Sequence, residues 1–493
     1  MTTHSAPLRS STTSPRAERR APEDALSARA PWRSTIEQGP VREAATVRGA
    51  IPEWLRGDLV RTAPAVFERE TSAGRFVANH WFDALGMLFS FRITSDGVRF
   101  TQRLMETDVE KAARSGDVPF SQFGTNAKRG ALRRIFEPVA RITDNTNVHT
   151  LPFGDERVAL TESPHQWVYD DDSLAVVRRV TYTDGLGELA MIAHAQFDFD
   201  RRLVVNVASR LGVKNQLIVY EHAPSSRERK VVAEIPVDRV PYVHSFGLTA
   251  KHAILFAHPI EWNPRALLFS NGSLLDAMTD RTDGETVLHV VDRATGAVRT
   301  HTAPRAFVFH TVNAFEDGDE TVLDVAQYEG RSVVDALSRS ALLEKGLPDL
   351  RPSIVRYRLR RDRKEATVEV LLADGFEFPS INYRRASGAR HSVTYGTRIL
   401  GGKDPSTIVV RLDAHGARTR PMNEWVVGEP LFVERPGATS EDDGVLVVVG
   451  SAKDRDESAL FVLDPRSLET VATATIQRPL PLGFHGSFFN ARG

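Results

Sequence analysis

Four histidines occupy apolar settings far apart in the chain: His194 in Ile192-Ala193-His194-Ala195, His244 in Tyr242-Val243-His244-Ser245-Phe246, His310 in Val308-Phe309-His310-Thr311-Val312, and His485 in Gly483-Phe484-His485-Gly486. Their separations of 50, 66 and 175 residues are too wide for a local zinc-finger loop. Taken singly, each suits a buried core histidine. Together they form a donor set for a borderline divalent metal, iron(II) or zinc, and the chain has no cysteine to offer a thiolate instead. Such a set works only if a closed fold brings distant strand ends to one point.

The chain has the texture of such a fold. From Ile51 onward, short apolar runs end in Gly, Asp or Asn: Arg202–Ala208, Gln216–Tyr220, Ala253–Ala257, Val287–Val291, Thr321–Val325, Val355–Leu359, Thr407–Arg411, Gly444–Val449 and Ala459–Leu463. Their length and β-branched content predict strands. A loose motif recurs, in which an apolar strand meets Asp, turns and returns: Asp170 after Trp167-Val168-Tyr169, Asp292 after Val290-Val291, Asp413 after Leu412, and Asp464 after Leu463. The Asp side chain caps each turn by accepting from amides two residues on. Repeated hairpins of this kind build a β-propeller, whose axis gathers distant strand ends. Two β-sandwiches would not explain the convergence. The pattern alone leaves the blade number open.

Composition narrows the function. The 493 residues carry 63 Lys+Arg against 64 Asp+Glu, a net charge of -1, so nothing in the bulk balance argues for nucleic acid. Without cysteine there is no disulfide and no thiol nucleophile, which fits a cytoplasmic protein. No apolar run is long enough for a transmembrane helix. Residues 1–40, rich in Ser, Thr, Pro, Arg and Ala, read as a disordered tail before a single propeller domain over 41–493. Two segments break the strand pattern. Residues 127–142 place Leu132, Ile135, Phe136 and Val139 at helical spacing among Lys128, Arg129, Arg133 and Arg134. Residues 262–278 carry Trp262, Leu267, Leu268, Phe269, Leu274, Leu275 and Met278. Both are expected to cap one face of the propeller, either burying these groups or presenting a basic-rimmed apolar patch to a membrane surface.

Ten local stretches resemble the carotenoid cleavage oxygenase family, in its order, over roughly residues 45–493. They are His80-Trp81-Phe82-Asp83-Ala84-Leu85-Gly86-Met87, Asp144-Asn145-Thr146-Asn147-Val148, Leu160-Thr161-Glu162, Ala193-His194, Val243-His244-Ser245-Phe246, Phe309-His310-Thr311-Val312-Asn313-Ala314-Phe315-Glu316, Glu377-Phe378-Pro379-Ser380-Ile381-Asn382, Gly428-Glu429-Pro430-Leu431-Phe432-Val433, Glu441-Asp442-Asp443-Gly444 and Gly483-Phe484-His485-Gly486. The resemblance implies an all-β fold, a seven-bladed β-propeller with a helical and loop cap over the metal face. It also implies Fe(2+) held by His194, His244, His310 and His485, with Glu162, Glu377 and Glu441 accepting from the far sides of three of the rings. The implied reaction is oxygenative scission of a conjugated C=C bond by O2, giving aldehyde or ketone products. No Gly-x-Gly-x-x-Gly or Walker sequence calls for an organic cofactor.

Two departures stand out. The Gly-Asp usual after His-Trp-Phe-Asp is Ala84-Leu85, and the usual Arg-Asn-Gly-Pro-Gly turn is Arg61-Thr62-Ala63-Pro64-Ala65. Lost glycines remove access to positive φ, so reshaped entrance loops are expected. The stretches Leu160-Thr161-Glu162-Ser163-Pro164 and Tyr182-Thr183-Asp184-Gly185 resemble the carotene- and retinoid-processing branch more than the stilbene cleavers. The first expectation is therefore cleavage of a carotenoid or apocarotenoid. Stilbene cleavage, retinoid isomerohydrolysis on the same site and a non-catalytic binding platform are the alternatives.

Overall fold

The short apolar runs form antiparallel strands, and these assemble into sheets that follow one another along the chain. The computed structural model describes residues 39–491 except 73, 117, 129–134, 137–140, 213 and 264–271. All but the last two residues of the expected tail, and most of 127–142, therefore lie outside the described residues. Seven sheets of four to six strands are the blades of a seven-bladed β-propeller; one three-stranded and two two-stranded sheets accompany them among the described residues. The predicted runs are realised with ends shifted by a few residues, for example Leu203–Arg210, His252–Ala257, Ser406–Asp413 and Ser458–Leu463. The Asp turns form as expected. Asp292 accepts from the amides of Ala294 and Thr295 at 3.0 and 2.9 Å, and Asp464 accepts from those of Arg466 and Ser467 at 3.0 and 2.7 Å.

The ring closes by exchange between distant parts of the chain. The first blade takes Gly486–Asn490 onto Gly57–Val66 as its innermost strand, and the seventh takes Thr46–Gly49 onto Thr470–Ile476 as its outermost. Closure buries edges that would otherwise invite pairing with other chains. It also carries His485 from the far end of the sequence to the axis. The two glycines around His485 have steric reasons. A Cβ on Gly486 would sit 2.4 Å from the Val60 carbonyl oxygen, and one on Gly483 would sit 2.7 Å from that of Thr62.

The cap is made of insertions between blade strands. Trp81–Asp83 is a single 3-10 turn; Asp108–Ser115, Ser332–Ala336 and Arg339–Lys345 are short α-helices. Asp83 ties the turn to the next insertion, its carboxylate accepting from the amides of Phe123 and Gly124, both at 2.8 Å, and from the Thr125 hydroxyl at 2.7 Å. Ala84 sits at φ -59°, and neither 61–65 nor 84–85 holds a residue at positive φ. The missing glycines therefore need no left-handed backbone, and the local geometry is kept by polar groups instead. The Asn145 side chain donates to the Ala84 carbonyl at 2.9 Å and accepts from the Gly86 amide at 2.8 Å. Among the described residues no helix is long and apolar enough to cross a membrane.

His80 caps the turn with both ring nitrogens committed. Nδ1 accepts from the Phe82 amide at 3.2 Å and Nε2 donates to the Val334 carbonyl at 2.9 Å, which fixes the neutral tautomer. Burial pulls its pKa down from 6.5 to about 4. A depressed histidine pKa stabilises the fold fully above the unfolded value of 6.5, and this stability is lost as pH falls toward 4. Urea unfolding should thus show wild type losing about 2 kcal/mol more than His80→Gln between about pH 7 and about pH 5. Equal losses in the two proteins would remove His80 as the titrating group.

Candidate metal centre

Seven side chains converge at the axis, one from each blade. His194 lies between Ala190–Met191 and Gln196–Asp198, the two short inner strands of the third blade. His244 directly precedes the innermost strand of the fourth, Phe246–Leu248. His310 lies within that of the fifth, Phe307–Asp317, and His485 directly precedes that of the first. Glu162 follows Glu156–Leu160 of the second blade, Glu377 opens the innermost strand of the sixth, and Glu429 lies between Trp425–Val427 and Leu431–Glu434 of the seventh.

One ligand atom from each of the four histidines lies within 4.8 Å of the others. The Nε2 atoms of His194 and His244 are 3.1 Å apart, and those of His310 and His485 are 3.0 Å apart. Behind three of the rings stand carboxylates. His244 Nδ1 donates to Glu162 at 2.5 Å, His310 Nδ1 to Glu377 at 2.6 Å, and His485 Nδ1 to Glu429 at 2.9 Å. A proton held at Nδ1 by its carboxylate leaves Nε2 of His244, His310 and His485 as a bare lone pair. Lone pairs facing each other at about 3 Å repel unless a cation lies between them. That is also the spacing two neighbouring nitrogen ligands keep on a first-row divalent ion with bonds of about 2.1 Å. The donor set fits one such ion, and neutral nitrogen donors without thiolate suit iron(II).

Electrostatics agree. Burial holds His194 and His485 well below the ordinary histidine range, so both rings are neutral and able to ligate. Burial works against ionisation of Glu377, but its close contact and hydrogen bond with His310, together with the Phe378 amide, outweigh it and hold the carboxyl below its usual range. Glu429 is pushed up to about 7 by burial, with Arg61 opposing. These values describe the protein without the charge of an ion, which would lower both carboxyls. Phe378 has φ 54°, a left-handed backbone rare for an aromatic residue, and its amide donates back to Glu377 at 3.0 Å.

The structure places Glu441 elsewhere. Its carboxylate accepts from the Ser392 amide and hydroxyl at 2.8 and 2.6 Å and from the Val393 amide at 3.2 Å, capping an outer turn. The carboxylate against His485 is Glu429. Its setting, Val426-Val427-Gly428-Glu429-Pro430, is a lone acid in an apolar run, the same signal that singles out Glu377. Glu441 sits beside two further acids, as a surface turn would. The structure also adds Tyr242, whose hydroxyl donates to Glu162 at 3.0 Å.

His244, His310 and His485 form one wall of a cavity of about 1500 Å³, its open mouth included. Phe82, Phe123, Phe309, Phe378 and Phe484 line it near the metal centre, and Leu274 and Leu337 of the cap close it from above. Ile142 and Leu211 line it too and are 37% and 39% exposed, so they mark its mouth.

A seven-bladed propeller with four imidazoles at its axis defines a class of metalloprotein, and comparison with known proteins places the chain within it. The family model described as retinal pigment epithelial membrane protein matches residues 32–490. The chain is 31% identical to "Carotenoid cleavage dioxygenase 8 homolog A, chloroplastic" of Oryza sativa subsp. japonica, with 90% of this chain and 85% of that protein covered. It is 27% identical to "Carotenoid-cleaving dioxygenase, mitochondrial" of Mustela putorius furo, with 93% and 96% covered. The solved cobalt-substituted apocarotenoid oxygenase of Synechocystis superposes with a TM-score of 0.82 at 23% identity, covering 95% of this chain and 99% of that one. The chain belongs to the carotenoid cleavage oxygenase family.

Two substitutions separate the carboxylates. Glu429→Gln should weaken iron(II) binding about 10- to 100-fold, the usual cost of losing the acceptor behind a ligating ring. Glu441→Gln should leave it unchanged. Competition with a chromogenic chelator measures both, and the reverse ranking would restore Glu441 as the partner of His485.

Proposed function

We propose that this protein is an iron(II)-dependent dioxygenase that cleaves a conjugated C=C bond of a carotenoid or apocarotenoid. His194, His244, His310 and His485 hold the metal, and Glu162, Glu377 and Glu429 orient the rings. The observation that carries this reading is the convergence of four imidazole nitrogens on one point beside an aromatic-lined cavity, whose wall includes three of the four rings. Relatives named for carotenoid cleavage supply the substrate class.

Iron(II) bound by the four rings supplies a place for dioxygen to bind and be activated beside the substrate. The chain's own residues do the rest. The carboxylates keep the Nδ1 protons of His244, His310 and His485 in place, so those ligating nitrogens stay available and the rings cannot rotate. Phe309 packs edge-on against His244 with centroids 5.3 Å apart, and Phe82 meets Phe309 and Phe484 at 6.0 and 5.4 Å. These rings give a polyene a largely apolar surface to lie on, each buried CH₂-sized unit gaining about 0.8 kcal/mol. Dioxygen adds across the double bond, and its two atoms become the carbonyl oxygens of two aldehyde or ketone products. No side chain is needed as a general acid or base, because no proton moves between substrate and product. The catalytic task of the protein is positioning.

The substrate's lipophilicity extends the proposal to where the protein works: in the cytoplasm, peripherally attached to a lipid surface. Ile135 and Phe136 are 72% and 81% exposed and precede Ile142 of the cavity mouth by a few residues. Large exposed apolar side chains beside an apolar entrance suit docking onto a bilayer. Of the 127–142 and 262–278 segments expected to form this patch, residues 129–134, 137–140 and 264–271 lie outside the described residues.

Three measurements test these readings. Iron-loaded protein is incubated with β-carotene, an apocarotenal and a hydroxystilbene, and products are identified by mass; scission of a polyene is expected. Turnover of the stilbene alone would overturn the substrate class and leave the metal site standing. Replacing His310 with alanine should abolish both iron retention and turnover. For the membrane reading, Ile135→Asp with Phe136→Asp should reduce co-sedimentation with liposomes at unchanged turnover of detergent-dispersed substrate. Sedimentation equal to wild type would remove this patch.

A further inference from the structure

Arg61 has no part in ligation or in substrate contact, yet it is 1% exposed and charged. A buried guanidinium costs several kcal/mol to desolvate and persists only where its charge is used. Its NH1 group lies 3.2 Å from the Glu429 carboxylate and also donates to the Glu429 carbonyl at 3.2 Å, while NH2 donates to the Phe484 carbonyl at 2.9 Å. One planar fork thus clamps together the two segments that supply His485 and its carboxylate. The remaining Glu429 oxygen valence is taken by the Gly486 amide at 3.2 Å. Next in sequence, the Thr62 amide and hydroxyl donate to the His485 carbonyl at 3.0 and 3.1 Å, so His485 is held through backbone and ring by neighbouring residues of one strand.

The charges point the same way. Three carboxylates touch ligand rings, and of these only Glu429 is paired with an arginine or lysine among the described residues. Three negative charges and one guanidinium leave an excess of two negative charges, which a divalent ion cancels. Without Arg61 the occupied centre would carry uncompensated charge in a low-dielectric interior.

We propose that Arg61 is a positioning residue of the metal centre: it locks Glu429 against His485 and completes the charge balance that a divalent ion requires. This rests on the four-histidine metal site and is independent of the substrate. It makes the His485 arm different from the other two. Glu162 and Glu377 are oriented by neutral donors, whereas Glu429 is oriented by a cation, so the last ligand to join the ring depends on a residue more than 400 positions earlier.

A second cavity gives direct experimental access to Arg61. It spans about 1010 Å³, with Arg61, Gly428 and Gly483 at its inner end and Asp404, whose side chain is 84% exposed, at its rim. Truncating Arg61 to alanine opens space that a guanidinium ion entering from solvent can fill. The test uses the full chain with cobalt(II) as probe, because its ligand-field absorption reports coordination without turnover. Wild type binding cobalt(II) establishes the site itself; failure there would overturn the metal reading before Arg61 is considered. R61A should bind cobalt(II) about 10- to 100-fold more weakly. Millimolar guanidinium should recover most of this loss, and tetramethylammonium should recover none. R61K, which keeps the charge but not the fork, should bind with intermediate affinity and a shifted absorption. A loss that guanidinium leaves unchanged would reduce Arg61 to packing within the first blade and overturn the proposal. Wild-type affinity and absorption in both variants would do the same. If R61A does not fold, R61K decides: an absorption and affinity identical to wild type overturns the assignment.

Discussion

The structure depends on holding lone pairs in a mutually repulsive arrangement. Imidazole nitrogens that face one another at about 3 Å have no reason to stay there unless the backbone and the groups behind the rings compel them. The propeller supplies that compulsion by symmetry. Each of its seven blades sends one group to the axis, four imidazoles and three carboxylates. The ring closes on itself through strand exchange, so no blade can swing away alone. Carboxylates placed behind the rings, rather than on the ion, serve two ends. They fix the tautomer that points Nε2 inward, and they neutralise charge without occupying coordination positions. A carboxylate bound directly would neutralise as well but would fill a position that dioxygen needs.

How much of this could be read from the chain depends on whether the signal is local. The outer hairpins were legible because their chemistry lies within five residues: an apolar run, an Asp that caps its own turn, a return. The four histidines were legible because each sits in an apolar context that a surface histidine would not tolerate. Glu377, between Phe376 and Phe378, and Glu429, in Val427-Gly428-Glu429-Pro430, carry the same mark, whereas the acidic neighbours of Glu441 are those of a solvated turn. Burial context was the better guide, since a carboxylate that works from inside must be buried there. Arg61 carries no such mark. An arginine among strand residues looks like any other until the fold sets it beside a carboxylate from the opposite end of the sequence. The cap was legible only as a break in texture, because insertions are not periodic and their packing is decided by what lies under them.

The lost glycines show that a residue pattern and a backbone conformation are separate things. Ala84 adopts φ -59°, open to any residue, and the Asn145 side chain supplies the hydrogen bonds that hold the turn. Of the four non-glycine residues at positive φ among the described residues, the one at the metal centre is Phe378, beside Glu377, where a left-handed residue lets an amide reach back to the carboxylate. A conformation of this kind costs on the order of 1–3 kcal/mol and persists only where the surroundings overdetermine it. Here it is fixed by Glu377, which is fixed by His310. The strain thus lies at the site and not at the entrance.

The apolar cavity and the charged centre impose opposite demands on the same wall. A polyene requires a dry surface, whereas a divalent ion in dry surroundings requires nearby negative charge, and exposing that charge to the cavity would spoil the surface for the polyene. Setting the carboxylates behind the rings limits the conflict: Glu162 and Glu377 still reach the cavity lining, Glu429 does not, and the compensating charge acts through about 5 Å of imidazole. At that distance unit charges in a medium of effective dielectric 20 still interact by about 3 kcal/mol, and far less in water. The compensation acts more strongly in the low-dielectric surroundings that the largely apolar lining provides. This dependence makes the aromatic lining part of the metal site as much as of the substrate site. A polar group introduced at Phe309 or Phe378 would hydrate the wall and weaken both.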